Sequence, residues 1–276
     1  MDKPEYAGAV ISVEARGRLG NHMFQFAFGL AAGARLGTDF AMNDELLRPA
    51  FRLGPWSSAH RRTGRAARFR ATKRLAPLPV VKVDNEADPR VALEALVDGR
   101  HYAGFFQSLD FFANVQTDVR AAFEPRAHHV EAFGTRYAEL ANTRYVCCHV
   151  RRTDYERGGW ELPVSYYRDC LRLARHDGDQ AVVFVGDDLG VVEREFGADP
   201  DVRFEQNDEV VDLQLLIHAT VVVTSNSSFG WWGSWLGEPG RSIYAPKYWL
   251  GFRTRKELPN RVIPVGWTQV EARTDE

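Results

Sequence analysis

Three short apolar runs constrain this chain more than any other feature: residues 145–148 (YVCC), 181–185 (AVVFV) and 220–224 (TVVVT). Each is rich in strand-forming side chains and ended by polar residues, the composition of a buried strand. Helical spacing fills the chain between them, over residues 162–175, 189–196 and 210–218. Earlier, residues 7–15 (AGAVISVEA), 80–83 (VVKV) and 101–107 (HYAGFFQ) also read as strands. A helical pattern over residues 22–36 repeats Met23, Phe26, Ala27, Leu30 and Ala34 along one face. Strands alternating with helices predict an α/β fold. Ligands in open α/β sheets bind where the strands run out, so the residues after each run are the first candidates for function.

After the first run come His149, Arg151, Arg152, Asp154 and Tyr155, in the stretch HVRRTDY. A guanidinium is permanently charged and forks onto two oxygens, which suits a diphosphate. Neighbours on an extended chain point opposite ways, so one arginine is expected to face a ligand while the other pairs with Asp154. A surface ion pair is the plain alternative. After the second run, Asp187 and Asp188 follow Gly186. A carboxylate there can accept two hydrogen bonds from a guanine edge, or can cap the adjoining helix. After the third, Ser227 and Ser228 precede Phe229 and a helix carrying Trp231, Trp232 and Trp235. Hydroxyls and backbone N–H groups at such a helix start converge on an anion, although serine caps are also an ordinary structural device.

In the first half, the strand over residues 7–15 leads into Gly17, Gly20 and Asn21, a glycine turn ahead of a helix expected to begin at His22. Strand, glycine turn and helix form a phosphate-binding corner or simply a structural turn, and the spacing is not GxGxxG. Phe105, Phe106, Phe111 and Phe112 are expected in a core, with Gln107 lining a cleft. Residues 61–74 carry Arg61, Arg62, Arg65, Arg68, Arg70, Lys73 and Arg74 without an acid. A solvated segment is the default there, and contact with an anionic membrane surface or glycan the alternative. The polar stretch at residues 124–129 is the expected domain boundary, dividing residues 1–128 from residues 129–276.

Composition narrows the classes. The 276 residues suffice for two modest domains or one large one. A net charge of -2, from 35 basic and 37 acidic residues, gives no global field to attract nucleic acid. Cys147 and Cys148 are adjacent and Cys170 is the only other cysteine, which predicts free buried thiols in a reducing compartment. With a polar N-terminus and no run of 18 apolar residues, the expectation is a cytoplasmic protein. Asp177 with Asp179, and Asp199 with Asp201, have metal-ligand spacing but fall where turns are expected, so no metal site is expected. Without a GxGxxG fingerprint, a dinucleotide oxidoreductase is disfavoured.

The order of these signals along the chain resembles glycosyltransferase family 11, the α-1,2-fucosyltransferases. The stretches that carry the resemblance are residues 17–29 (GRLGNHMFQFAFG), 104–112 (GFFQSLDFF), 149–155, 162–167 (LPVSYY), 184–188 (FVGDD), 212–236 and 245–249 (APKYW). The resemblance implies a GT-B-type α/β fold, two Rossmann-like lobes facing a central cleft. Residues 1–128 would be the acceptor-side lobe and residues 129–276 the GDP-fucose-binding lobe. It also implies GDP-fucose as donor, a galactose-terminated glycan as acceptor, inversion at the anomeric carbon, and neither metal nor other cofactor.

Carried over residue by residue, Arg151 grips the β-phosphate, with His149 and Arg152 near the nucleotide. Asp187 or Asp188 reads guanine, and Ser227, Ser228 and Phe229 hold the diphosphate. Gly20 and Asn21 face donor or acceptor, and His22 and Gln107 lie on the acceptor side. Asp154, Glu156 and Glu161 are all eligible as the base for the acceptor hydroxyl. His22 stands where glutamine is usual, Thr153 where many members have glycine, and Gly186 and Gly230 where serine is usual. HVRRTD is also similar to the corresponding stretch of the α-1,6-fucosyltransferases, which leaves the linkage open. The alternatives are an α-1,6- or protein O-fucosyltransferase with the same donor site, and a non-catalytic glycan-binding protein that kept the fold.

Overall fold

The computed structural model describes residues 10–54, 78–140, 143–175 and 181–273. The basic stretch at residues 61–74 lies outside them. The chain divides into two compact units, Met1–Arg126 and Ala127–Glu276, each an α/β unit on a wholly parallel sheet.

The first unit holds β1 (Val10–Val13), β2 (Asp39–Ala41), β3 (Val80–Lys82) and β4 (His101–Ala103), in the order β2-β1-β4-β3. Parallel neighbours need a crossover, and the helix Leu19–Leu36 supplies it between β1 and β2. Its apolar residues are aromatic enough to build much of the core. Phe28 stacks on Phe106 at 3.8 Å, and Phe26 meets Phe40 at 5.3 Å and Phe123 at 5.7 Å. Phe106, Phe111 and Phe112 are buried as expected, whereas Phe105 is partly exposed beneath the Arg16 guanidinium.

Two expectations need correcting here. The helix begins at Leu19, three residues before His22, because Gly17 makes the turn at φ +89° and Arg18 takes the extended cap conformation. Asn21 and His22 already donate their backbone N–H to the Arg18 carbonyl. Gly20 and Asn21 therefore sit in the first helical turn rather than in a loop. The strand at His101 ends at Ala103, since Phe106 enters the left-handed region (φ +53°) and places its ring on Phe28.

The second unit holds β5 (Tyr145–Val150), β6 (Ala181–Gly186), β7 (Val202–Glu205), β8 (Val221–Val223), β9 (Ser242–Pro246) and β10 (Thr268–Val270). Their order is β10-β9-β8-β5-β6-β7. The chain steps outward from β5 to β7, then returns to the other side of β5. That is the Rossmann order, and its switch point lies between β5 and β8. Both sheet faces are covered, which explains why these strands read as unbroken apolar runs. Val146, Cys148 and Val150 pack under the helices Val164–Ala174 and Gly190–Phe196. Tyr145 and Cys147 pack on the opposite face with the helices Ala127–Arg136 and Glu209–His218. The adjacent cysteines thus face opposite ways, and burial pushes both thiols well up, so they are inert.

The tail also carries a strand. Residues 268–270 pair in register with β9, Thr268 opposite Tyr244, and form the edge of the sheet. Among the described residues, no helix is long and apolar enough to cross a membrane.

Candidate functional site

The carboxyl ends of β5, β6 and β8 bring the candidate residues of the second unit together at the switch point. His149 is buried near the end of β5, with Nδ1 2.7 Å from the Ser225 hydroxyl just past β8. Its ring lies 5.4 Å from that of Phe229. Two glycines that depart from the family pattern belong to this tight packing. A Cβ on Gly230 would lie 2.4 Å from Thr224 Oγ1 and 2.9 Å from His149 Nδ1. A Cβ on Gly186 would lie 2.2 Å from the Val150 carbonyl oxygen.

Arg151 leaves the end of β5 with its side chain 10% exposed. Nη1 is 2.7 Å from Asp187 Oδ2, Nη2 is 2.5 Å from Asp154 Oδ1, and the guanidinium carbon is 5.4 Å from the Tyr155 ring centre. The expected pairing of Asp154 with the other arginine does not form. Residue 152 caps the helix Thr153–Gly158, which puts Glu156 four residues on, within reach of Arg152 at 2.7 Å, and leaves Asp154 to Arg151.

Asp187 is held as firmly as Arg151. It accepts from the Arg152 N–H at 2.8 Å and the Thr153 hydroxyl at 2.7 Å, besides the guanidinium. Burial alone would push its carboxyl up, but the Thr153 and Arg152 donors and the Arg151 charge bring it below the usual carboxylate range. It is an ionised anchor for Arg151, a partner that the sequence reading did not foresee. Asp188 is exposed, and its Oδ1 accepts from the Gly190 N–H at 3.0 Å, as a capping residue does.

Ser227 caps the helix Ser228–Leu236, its hydroxyl accepting from the Phe229 N–H at 3.3 Å. Ser228 and Phe229 form the first turn and are part-exposed. The tryptophans behind them are structural. Trp231, Trp232 and Trp235 are buried in mutual contact, and Trp231 donates its indole N–H to the Val262 carbonyl at 2.7 Å.

Three residues remain to be placed, two of them new candidates. Asn226, wholly buried past the end of β8, donates Nδ2 to the Trp160 carbonyl at 2.8 Å and has no donor for its Oδ1. Glu161 pairs through Oε1 with Arg253 at 3.1 Å, whereas its buried Oε2 lacks a donor. It was eligible as a base from sequence, but Asn226 was not singled out; its place after a strand at the switch point was the available signal. The third is Asp212, a buried carboxylate in the helix Glu209–His218, accepting from Asn207 Nδ2 at 2.8 Å. An acid inside an apolar helical repeat was the signal there.

Desolvation raises the Asp212 carboxyl to about 6, against the Asn207 hydrogen bonds, with Asp208 and Glu205 adding to the rise. A raised folded-state value means stability that is complete below the unfolded carboxylate range and lost as pH rises through about 6. Asp212→Asn keeps an acceptor for Asn207 and removes the buried charge. It should match the parent protein near pH 4 and be the more stable of the two at pH 8, by up to roughly 3 kcal/mol. Urea denaturation at the two pH values measures this; equal stability at both would contradict the assignment.

In the first unit, Asn21 Oδ1 accepts from Gln107 Nε2 at 2.7 Å, so these two predicted residues meet. His22 is buried, its Nδ1 has no partner, and burial lowers its imidazole below the ordinary histidine value despite a hydrogen bond to the Gly17 backbone. It is neutral at pH 7 and able to accept. Among the described residues, no cluster of three or more His, Cys, Asp or Glu is placed to hold a metal ion. Asp199, one of the spaced acids, accepts from Arg175 at 2.6 Å; residues 177–179 lie outside the described residues.

No model of a known protein family matches the chain. It is similar to an alpha-1,2-colitosyltransferase of Escherichia coli, 25% identical over 296 residues that cover 95% of this chain and 99% of the relative. It is also similar to the Escherichia coli O-antigen biosynthesis glycosyltransferase WbnK, 26% identical over 132 residues, 44% of this chain and 43% of the relative. Among solved structures, NodZ alpha-1,6-fucosyltransferase with GDP aligns with a TM-score of 0.53 at 14% identity, over 83% of this chain and 93% of NodZ. POFUT1 in complex with GDP-fucose aligns with a TM-score of 0.55 at 11% identity, over 86% and 98%. The fold is therefore the GT-B-type α/β fold of these fucosyltransferases, and the resemblance to family 11 stands.

Proposed function

We propose that this glycosyltransferase, whose likeness to family 11 runs through both units, transfers L-fucose from GDP-fucose to the 2-hydroxyl of a galactose-terminated glycan, with inversion and without a metal ion. One observation carries the reading: a near-buried Arg151, oriented by an ionised Asp187, at the switch point and beside an N-capped helix start. Cleaving the sugar–phosphate bond leaves positive character on the sugar ring and negative charge on GDP. A fixed guanidinium and the first N–H groups of the helix Ser228–Leu236 are the groups that would stabilise that leaving charge. Asp154, more exposed than Asp187, is the carboxylate that a diphosphate would displace from Arg151. Asp188 remains the proposed guanine contact through its second oxygen, with His149 and Arg152 beside the nucleotide. In the first unit His22 and Gln107 remain acceptor-side proposals and Gly20 and Asn21 proposals for donor or acceptor, and contact of residues 61–74 with a membrane surface likewise.

A second reading concerns the sugar. The relative aligned over nearly the whole chain is named for colitose, which is L-fucose lacking the 3-hydroxyl. Incubation with GDP-fucose or its 3-deoxy analogue and a panel of galactosides, with and without EDTA, tests both. The expected result is GDP release and an α-1,2-linked product that EDTA leaves unchanged. Faster turnover of the 3-deoxy donor would favour the second reading, and an α-1,6 or peptide-linked product the neighbouring activities. Abolition by EDTA would contradict the metal-free mechanism, and silence with both donors would contradict the function.

A further inference from the structure

The described tryptophans fall into two groups. Trp231, Trp232, Trp235 and Trp249 are buried and Trp267 is partly so, but Trp160 is 46% exposed. Its setting is nonetheless rigid. The ring lies over Gly158, close enough that a Cβ there would meet Cε3 at 2.6 Å. Its other neighbour is the Tyr155 ring, edge-on at 5.9 Å. Its backbone is fixed twice, the N–H donating to the Tyr155 carbonyl at 3.0 Å and the carbonyl accepting from Asn226 at 2.8 Å. The carbonyl before it, Gly159, accepts from Arg253 Nε at 2.7 Å, and the same arginine pairs with Glu161. The result is an exposed indole two residues past the short helix Thr153–Gly158, next to the Tyr155 ring that also lies 5.4 Å from the Arg151 guanidinium carbon.

An exposed indole whose backbone is fixed offers an apolar face with a polar N–H at its edge, a surface complementary to a sugar. In a galactoside, the hydrogens on C3, C4 and C5 share one face, so that face is apolar while the rim carries hydroxyl donors. Glucose, with its 4-hydroxyl equatorial, has no such continuous patch.

We propose that Trp160 is the platform on which the acceptor sugar stacks, so that a β-galactoside is recognised by its C–H face. The proposal rests on the galactoside reading above, and deepens it by naming a residue in this unit that selects the acceptor.

The test uses saturation-transfer NMR on the full chain with saturating GDP, titrating methyl β-galactoside and methyl β-glucoside. The parent protein should bind the galactoside several-fold more tightly. Trp160→Ala should weaken that binding at least tenfold, and Trp160→Phe should recover most of it. The GDP-induced rise in melting temperature serves as the folding control. If the galactoside binds Trp160→Ala as well as it binds the parent, or if the parent binds neither saccharide, the platform is wrong. Failure of GDP-fucose turnover alone would overturn the donor reading and leave this binding result standing, so the two are separable.

Discussion

Arg151→Ala should lower kcat/KM for glycosyl transfer by ~100-fold or more, roughly 3 kcal/mol of transition-state stabilisation, the size of a lost oxyanion donor. The geometry makes the loss larger than that of a surface arginine. The guanidinium is 10% exposed and contacts Asp187 and Asp154, so its removal leaves two carboxylates at the site where a diphosphate must arrive. The affinity for GDP should therefore fall along with turnover. Arg151→Lys should recover little, because an ammonium cannot hold Asp187 and fork onto phosphate oxygens at once. Steady-state kinetics with GDP-binding calorimetry on both variants measures this; turnover within a few-fold of the parent would contradict the assignment.

The second large effect is on stability. Arg241→Ala should destabilise the protein by about 3 kcal/mol or more and lower its melting temperature by roughly 10 °C. Nη1 of Arg241 donates to the carbonyls of Leu216, Ile217 and Ala219, and Nη2 to those of Gly233 and Ser234. One side chain thus satisfies the ends of the helices Glu209–His218 and Ser228–Leu236, where carbonyls lack intrahelical partners and positive charge is favoured. These helices carry Asp212 and the Ser228–Phe229 turn, so the same contact fixes the site's frame. Differential scanning calorimetry reads the change, and a shift of less than about 2 °C would mean that water replaces the guanidinium without cost.

How much of this was legible in the sequence depended on range. The buried strands of the second unit were legible because both faces of a parallel sheet are covered, which leaves an apolar run without alternation. Their polar followers were legible because a strand's carboxyl end is a defined place in an α/β sheet. Side-chain partnership was not. Asp187 is 36 residues from Arg151, and only the pairing of Val150 with Gly186 brings them together. The choice between Arg151 and Arg152 for Asp154 turned on a single cap position, which local propensity does not fix. The early start of the helix Leu19–Leu36 depended on Gly17 alone making the turn. Residues 268–270 gave no strand signal because a three-residue edge strand takes its stability from β9 rather than from its own composition. Trp160 carried no signal beyond its identity, since its exposure follows from the Gly158 and Asn226 contacts.

The central claim is that the Arg151 guanidinium, fixed by Asp187, carries the charge of the departing nucleotide. A crystal structure of the protein with GDP tests it most directly. The β-phosphate should lie within hydrogen-bond distance of Arg151 Nη2 and of the N–H groups at Ser228 and Phe229, with Asp154 displaced and Asp187 in place. A diphosphate remote from Arg151, or one bridged to the protein by a divalent ion, would contradict it.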